Sequence, residues 1–150
     1  MMMSKKILAI GVFCLFSSAA LADDCSVEIE GNDAMQFNKK ELTVSSSCSE
    51  IKVTIKHAGA LPKATMGHAV VITKTADFQA VANAGIAAGI GNNHVPAGDD
   101  RVIANTKLVG GGETDTITIP GSAFEAGGDY TFFCPFPGHN AMMKGKFIVN

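Results

Sequence analysis

Short runs in which every second side chain is apolar recur from Val27 to Val149, and this period of two constrains the fold more than any other feature. Val27-Glu28-Ile29-Glu30 alternates. In Ile51–His57 the side chains of Ile51, Val53, Ile55 and His57 share one face. Ile117 and Ile119 oppose threonines in the stretch 114–119, Tyr130, Phe132 and Cys134 share a face, and Phe147 with Val149 closes the chain in the same way. Runs rich in Val, Ile, Thr and Phe, punctuated by Gly, Asn and Pro, predict an all-β antiparallel sandwich. No linker, internal repeat or low-complexity tract divides them, and a chain of 150 residues buries most of its surface as one domain.

One segment departs from the pattern. Phe78, Val81, Ala82, Ile86 and Ile90 recur at helical spacing, with Thr75 or Ala76 near the start and Asp77 in the first turn. Gly85 and Gly89 each weaken such a helix by about 1 kcal/mol relative to alanine, so packing must hold it as a flap outside the sheets. Residues 91–100 read as an exposed loop, with His94 solvated among Gly, Asn and Pro.

The N-terminus has a different character. Lys5 and Lys6 precede an uncharged apolar stretch, Ile7–Ala20, and Ala20-Leu21-Ala22 supplies the small residues that signal peptidase requires. Phe13 before Cys14 is too large for a lipoprotein cleavage site. The stretch is short for a membrane span, and no stop-transfer charges follow it. Residues 1–22 are therefore expected to be removed, leaving one domain over 23–150, without a membrane anchor, in the periplasm. With Lys5 and Lys6 gone, ten basic and fourteen acidic residues remain, a net charge of −4. Nucleic acid is excluded as a partner, because phosphate binding needs a clustered basic face. Three cysteines remain, which in an exported protein implies one disulfide and one thiol with another occupation.

Chemistry concentrates in Cys134-Pro135-Phe136-Pro137-Gly138-His139-Asn140-Ala141-Met142-Met143, directly after an apolar strand. A thiolate, an imidazole and a thioether at Cys-x4-His-x3-Met spacing are soft or borderline donors. Two His and one Cys with a weak axial Met are the donor set of copper electron-transfer sites, and zinc sites rarely recruit methionine. The second imidazole is expected from His68. It follows Gly67 and opens an apolar strand, and the Gly67 carbonyl could then face the metal opposite Met143. His57 fits less well, since an inward histidine on a strand is usually hydrogen-bonded core.

The chain resembles the azurins, small type 1 (blue) copper proteins of the cupredoxin family. The resemblance runs through Cys25-Ser26-Val27, Asn32-Asp33-x-Met35-Gln36-Phe37-Asn38, Leu61-Pro62-Lys63, Met66-Gly67-His68, Arg101-Val102-Ile103-Ala104, Thr106-Lys107-Leu108, and Phe132 through Gly145. It implies an eight-stranded Greek-key sandwich with a short helical flap. It also implies one copper ion on His68, Cys134, His139 and Met143 with the Gly67 carbonyl near, and a Cys25–Cys48 disulfide. A copper thiolate must stay unpaired, which agrees with that pairing. The implied function is one-electron transfer by Cu(I)/Cu(II) cycling with redox proteins such as c-type cytochromes or periplasmic reductases and dehydrogenases. Met35, Ile86, Phe136, Pro137, Ala141 and Met142 are the implied docking patch around the edge of the second histidine, and His57 gains a proton-linked role. Backbone N–H groups of residues 69 and 136 are expected to face the sulfur. Two departures stand out: Ala69 and Pro135 replace an asparagine and a threonine that tie the ligand loops together in the family.

Two rival functions make different demands on the residues. A copper oxidase or nitrite reductase needs a second centre, commonly built from His-x-His pairs, and the four histidines here include no such pair. Copper storage or delivery is the alternative reading, and it would favour exposed Met- or His-rich clusters rather than ligands from distant strands.

Overall fold

Each alternating run forms a strand in the computed structural model, which describes residues 24–150; the signal-peptide reading of residues 1–22 lies outside the described residues. In chain order the elements are β1 (Ser26–Gly31), β2 (Glu41–Val44), β3 (Glu50–His57), a single helical turn α1 (Lys63–Met66), β4 (Val71–Lys74), α2 (Phe78–Ala88), β5 (Ala104–Asn105), β6 (Thr114–Pro120), β7 (Tyr130–Phe133) and β8 (Lys144–Val149). They make a three-stranded sheet, β1-β3-β6, and a five-stranded sheet, β2-β8-β7-β4-β5. The inward residues of both sheets, among them Ile29, Ile51, Val53 and Ile55 from one and Leu42, Ile72, Phe132 and Phe147 from the other, meet in a single core. Burying each such side chain contributes roughly 1.5–3 kcal/mol relative to leaving it in water.

Pairing is not antiparallel throughout. β1 lies parallel to β3 and β2 parallel to β8. After β1 the chain crosses to the other sheet as β2 and returns as β3, so the two neighbours run the same way. A hairpin cannot join parallel neighbours, and here a strand of the opposite sheet is the crossover. The Cys25–Cys48 disulfide ties together the starts of β1 and β3. Beside it, the Lys52 N–H donates to the Cys25 carbonyl at 2.8 Å.

α2 explains why β7 reads Tyr-Thr-Phe-Phe rather than alternating. All four of its residues are buried, because the helix covers the face that the core does not. Phe133 packs with Val81, Ala82 and Val95, and the Phe78 ring meets it edge-on at 5.0 Å. Lys144 Nζ lies 4.9 Å from the centroid of the Phe78 ring. Only the first part of the helical stripe packs inward. The helix ends at Ala88 before Gly89 (φ 73°), and Ile86 and Ile90 remain 54% and 46% exposed. Gly85 costs helix propensity, but any side chain there would collide with the His94 carbonyl, so the glycine lets the following loop lie on the helix. Among the described residues no helix is long and apolar enough to cross a membrane.

Candidate metal centre

The site forms where two segments leave the sheets, one just before β4 and the other joining β7 to β8. His68 sits just before β4 and is held by an antiparallel bridge to Val109, with N–H···O contacts of 3.0 and 2.8 Å. The preceding Gly67 is required by packing, since a Cβ there would lie 2.6 Å from the Lys63 carbonyl oxygen and 2.7 Å from the Leu108 side chain. Cys134 follows β7 directly. From it the chain turns through Gly138, whose φ of 84° favours glycine, into a 3-10 turn at His139–Ala141 and back to β8. Three backbone bonds close this loop: Cys134 N–H to the Met143 carbonyl at 2.9 Å, Met143 N–H to the His139 carbonyl at 2.8 Å, and His139 N–H to the Phe136 carbonyl at 2.9 Å. These bonds fix Cys134, His139 and Met143 relative to one another.

The donor atoms converge. Cys134 Sγ lies 3.9 Å from His68 Nδ1 and 3.6 Å from His139 Nδ1, and the Gly67 carbonyl oxygen is 3.8 Å from the sulfur. One ligand atom from each of His68, Cys134 and His139 falls within 4.8 Å of the others, and no other His, Cys, Asp or Glu group among the described residues meets this way. His68, Cys134 and Met143 are 0% exposed and His139 is 2% exposed. Cys134 is the free thiol among the described residues.

The surroundings set the charge states of the metal-free site. Burial pushes the Cys134 thiol up to about 11, against the opposing pull of the Ala69 and Phe136 N–H groups. Burial likewise lowers both imidazoles, His139 to about 4, with the nearby histidines adding to that fall. At neutral pH the site therefore offers two neutral imidazoles and a protonated thiol, and a thiophilic cation entering it must displace one proton. A sulfur, two nitrogens and a buried thioether, with no carboxylate in the cluster, fit copper and do not suit hard cations such as calcium or magnesium.

Each histidine near the sulfur has its own support. His68 Nε2 donates to the Asn32 carbonyl at 2.8 Å, which leaves Nδ1 facing the sulfur. His57 stacks on His68 with ring centroids 4.5 Å apart and an interplanar angle of 26°. Its Nδ1 accepts from the Gly59 N–H at 3.0 Å, so its Nε2 donates to the Met66 carbonyl at 2.9 Å. His57 is thus a hydrogen-bonded core residue that props the His68 ring. Asp33 accepts from the Ala60 and Leu61 N–H groups, and the Ala60 bond above all holds its carboxyl below the ordinary range.

Of the remaining residues singled out in the sequence, one contacts His139 and Ile86 is exposed on α2. The Phe136 ring is 4.5 Å from the His139 ring; Pro137, Ala141 and Met142 are exposed, and Met35 is half-buried. His94 is not solvated as the sequence suggests. It is buried, its ring set edge-on against Phe136 at 5.3 Å, because Gly85 lets its backbone press onto α2. Sequence reasoning also missed Gly31, where a Cβ would come within 2.6 Å of the His68 ring. A glycine ending an alternating strand is the available signal for such a close approach.

The chain matches the family of copper binding proteins described as the plastocyanin/azurin family over residues 23–150. It is 53% identical over 144 residues to an azurin of Bordetella pertussis, covering 95% of this chain and 96% of that protein. To an azurin-1 of Alcaligenes xylosoxydans xylosoxydans it is 57% identical over 122 residues, covering 81% and 95%. To an azurin of Pseudomonas aeruginosa it is 46% identical over 147 residues, covering 98% and 99%. With a buried sulfur–nitrogen donor set of this kind and a match that spans every described strand, the chain belongs to the plastocyanin/azurin family of copper-binding proteins.

Proposed function

We propose that His68, Cys134 and His139 hold one copper ion, with the Met143 thioether and the Gly67 carbonyl as weaker contacts, and that the protein carries single electrons between redox proteins. Copper bound there would cycle between Cu(I) and Cu(II), taking up and releasing one electron at a time. The chain's part is to hold the donors still. His68 is fixed by Asn32 and His57, and Cys134, His139 and Met143 share one hydrogen-bonded loop. The Ala69 and Phe136 N–H groups lower the charge density on the sulfur. The observation that carries this reading is the convergence within 4.8 Å of three buried donor atoms, two from one loop and one from a distant segment. Copper titration of the metal-free protein tests it: one equivalent should produce an intense thiolate–Cu(II) band, and Cys134→Ser should abolish it. A band that survives Cys134→Ser would sink the assignment.

We read the protein as a carrier rather than an enzyme, and as exported to the periplasm after removal of residues 1–22. N-terminal sequencing of the exported protein should begin at Asp23. A storage or delivery role is less well supported, because buried ligands exchange metal slowly. For partners, the apolar surface of Met35, Ile86, Phe136, Pro137, Ala141 and Met142 suits brief contacts near His139 with c-type cytochromes or periplasmic reductases and dehydrogenases. Met142→Lys should slow electron exchange with a reduced c-type cytochrome in stopped flow while leaving the copper spectrum unchanged; an unaffected rate would remove Met142 from the patch.

A further inference from the structure

The turn at residues 32–36 is held by four internal hydrogen bonds. Asn32 Oδ1 accepts from the Ala34 N–H at 3.0 Å and the Gln36 N–H at 3.2 Å, and the Asn32 N–H donates to the Gln36 carbonyl at 3.2 Å. Met35 sits at φ 58°, a left-handed conformation that a non-glycine side chain keeps only when its surroundings enforce it. The Asn32 carbonyl does two things at once, taking the Met35 N–H at 3.2 Å and His68 Nε2 at 2.8 Å.

What anchors this turn to the rest of the molecule is a carboxylate. Asp33 Oδ2 accepts from the Ala60 N–H at 2.8 Å and Oδ1 from the Leu61 N–H at 3.2 Å, while Oδ1 lies 3.8 Å from His57 Nε2. A Cβ on residue 59 would collide with the carboxylate, so Gly59 is what allows the loop to close onto it. The two segments that meet here both lead to His68: the turn after β1 offers the Asn32 carbonyl, and the chain after β3 runs from His57 through α1 to Gly67. Neither the donor motif nor the match to known proteins assigns Asp33 any part in the site.

We propose that Asp33 is a positioning residue of the metal centre, its carboxylate clamping the 32–36 turn to the 59–61 loop and so fixing the orientation and tautomer of the His68 imidazole. This rests on the reading of His68 as a ligand. Removing the clamp lets the Asn32 carbonyl drift from Nε2, and the imidazole then loses the hydrogen bond that keeps Nδ1 free to bind metal. Outer-shell partners of this kind alter metal affinity by roughly 10–100-fold when removed.

The test compares Asp33→Ala and Asp33→Asn with the unaltered chain. In the metal-free and Cu(I) forms, NMR follows exchange of the His68 Nε2–H alongside the β3 backbone amides, which report global opening. In the Cu(II) form, the visible band and reduction potential are measured. Asp33→Ala should speed Nε2–H exchange selectively and weaken copper binding about tenfold. Asp33→Asn keeps an oxygen for one of the two N–H groups and should fall between, which also carries the test if the alanine variant does not fold. Asp99→Ala is the control, since Asp99 likewise accepts a backbone N–H, that of Arg101, in a turn outside this network. Exchange equal to the unaltered chain, a parallel speeding of the β3 amides, or the same effect from Asp99→Ala would each overturn the proposal. So would equal shifts in potential from the Ala and Asn variants with normal exchange, which would assign the effect to lost charge. His68→Ala separates this from the ligand reading: if the band survives that change, the ligand assignment itself fails.

Discussion

Two histidines approach the same sulfur, and the protein supports them in different ways. His68 is built into the sandwich: its backbone bridges Val109, its Nε2 is bound to Asn32, and the His57 ring stacks on its face. His139 rides on a 3-10 turn of three residues, flanked by the exposed Pro137, Gly138, Ala141 and Met142. No described residue hydrogen-bonds its Nε2, and its ring neighbours are His68 and Phe136. The difference teaches that rigidity and access are divided between the two histidines. One side holds the geometry, and the other lies beside exposed residues.

The largest expected effect breaks the symmetry outright. His139→Gly should lose the thiolate–Cu(II) band and regain it when free imidazole is added, because the cavity it leaves opens beside exposed residues. His68→Gly should lose the band without recovery, its cavity being closed by His57, Gly31 and Asn32. Absorption spectra with and without imidazole decide this, and equal rescue at both positions would show that the two sides are equally accessible.

Removing the disulfide by Cys25→Ala with Cys48→Ala acts away from both histidines. The bond closes a separation of 23 residues, and its loss should cost roughly 3 kcal/mol in urea unfolding of the metal-free protein. The blue spectrum should not change; a spectral shift would mean that the strand starts are mechanically coupled to the site.

Two glycines sharpen the contrast further. Gly31→Ala forces a methyl against the locked His68 ring and should cost about 1–3 kcal/mol, with a shifted visible band. Gly138→Ala strains only the turn before His139, where nothing lies within 4 Å of an added Cβ, and should cost about 1 kcal/mol with a smaller spectral change. Equal spectral effects would contradict the division of roles.

The smallest effect is a pH dependence of the metal-free protein. Both imidazoles titrate below the ordinary histidine value, His139 at about 4. Between about 6.5 and 4 the unfolded chain therefore binds more protons than the folded one, so stability present above about 6.5 declines as the pH falls through that window. Urea midpoints at pH 7 and pH 5 check the sign, and a midpoint that rises on acidification would refute it.

Much of this molecule was legible in its sequence because two strong periodicities survive translation into structure. The alternation in β1, β3 and β8 marks faces that the core later covers, and the Cys-x4-His-x3-Met spacing is short enough that one loop brings its members together. Other elements carried no such signal. β2 has four residues and β5 two, too few for a period to show, and in β7 the second buried face puts Phe133 between the alternating Tyr130, Phe132 and Cys134. The parallel pairing of β1 with β3 was hidden because alternation specifies which face is buried and not which way a neighbour runs. His94 was misread for a related reason. Its Gly- and Asn-rich surroundings look like a solvated loop, and only the approach of its backbone to Gly85 turns the ring inward.

The amino-acid sequence by itself determined the class of fold and the chemistry on offer, since periodicity and donor type are local properties of the chain. The tertiary structure decided which atoms meet. His68 and Cys134 are 66 residues apart, and the Asn32 carbonyl and Asp33 carboxylate that steady the imidazole come from a third segment. Such long-range convergence follows from how the two sheets close on a common core, and no local pattern encodes that closure.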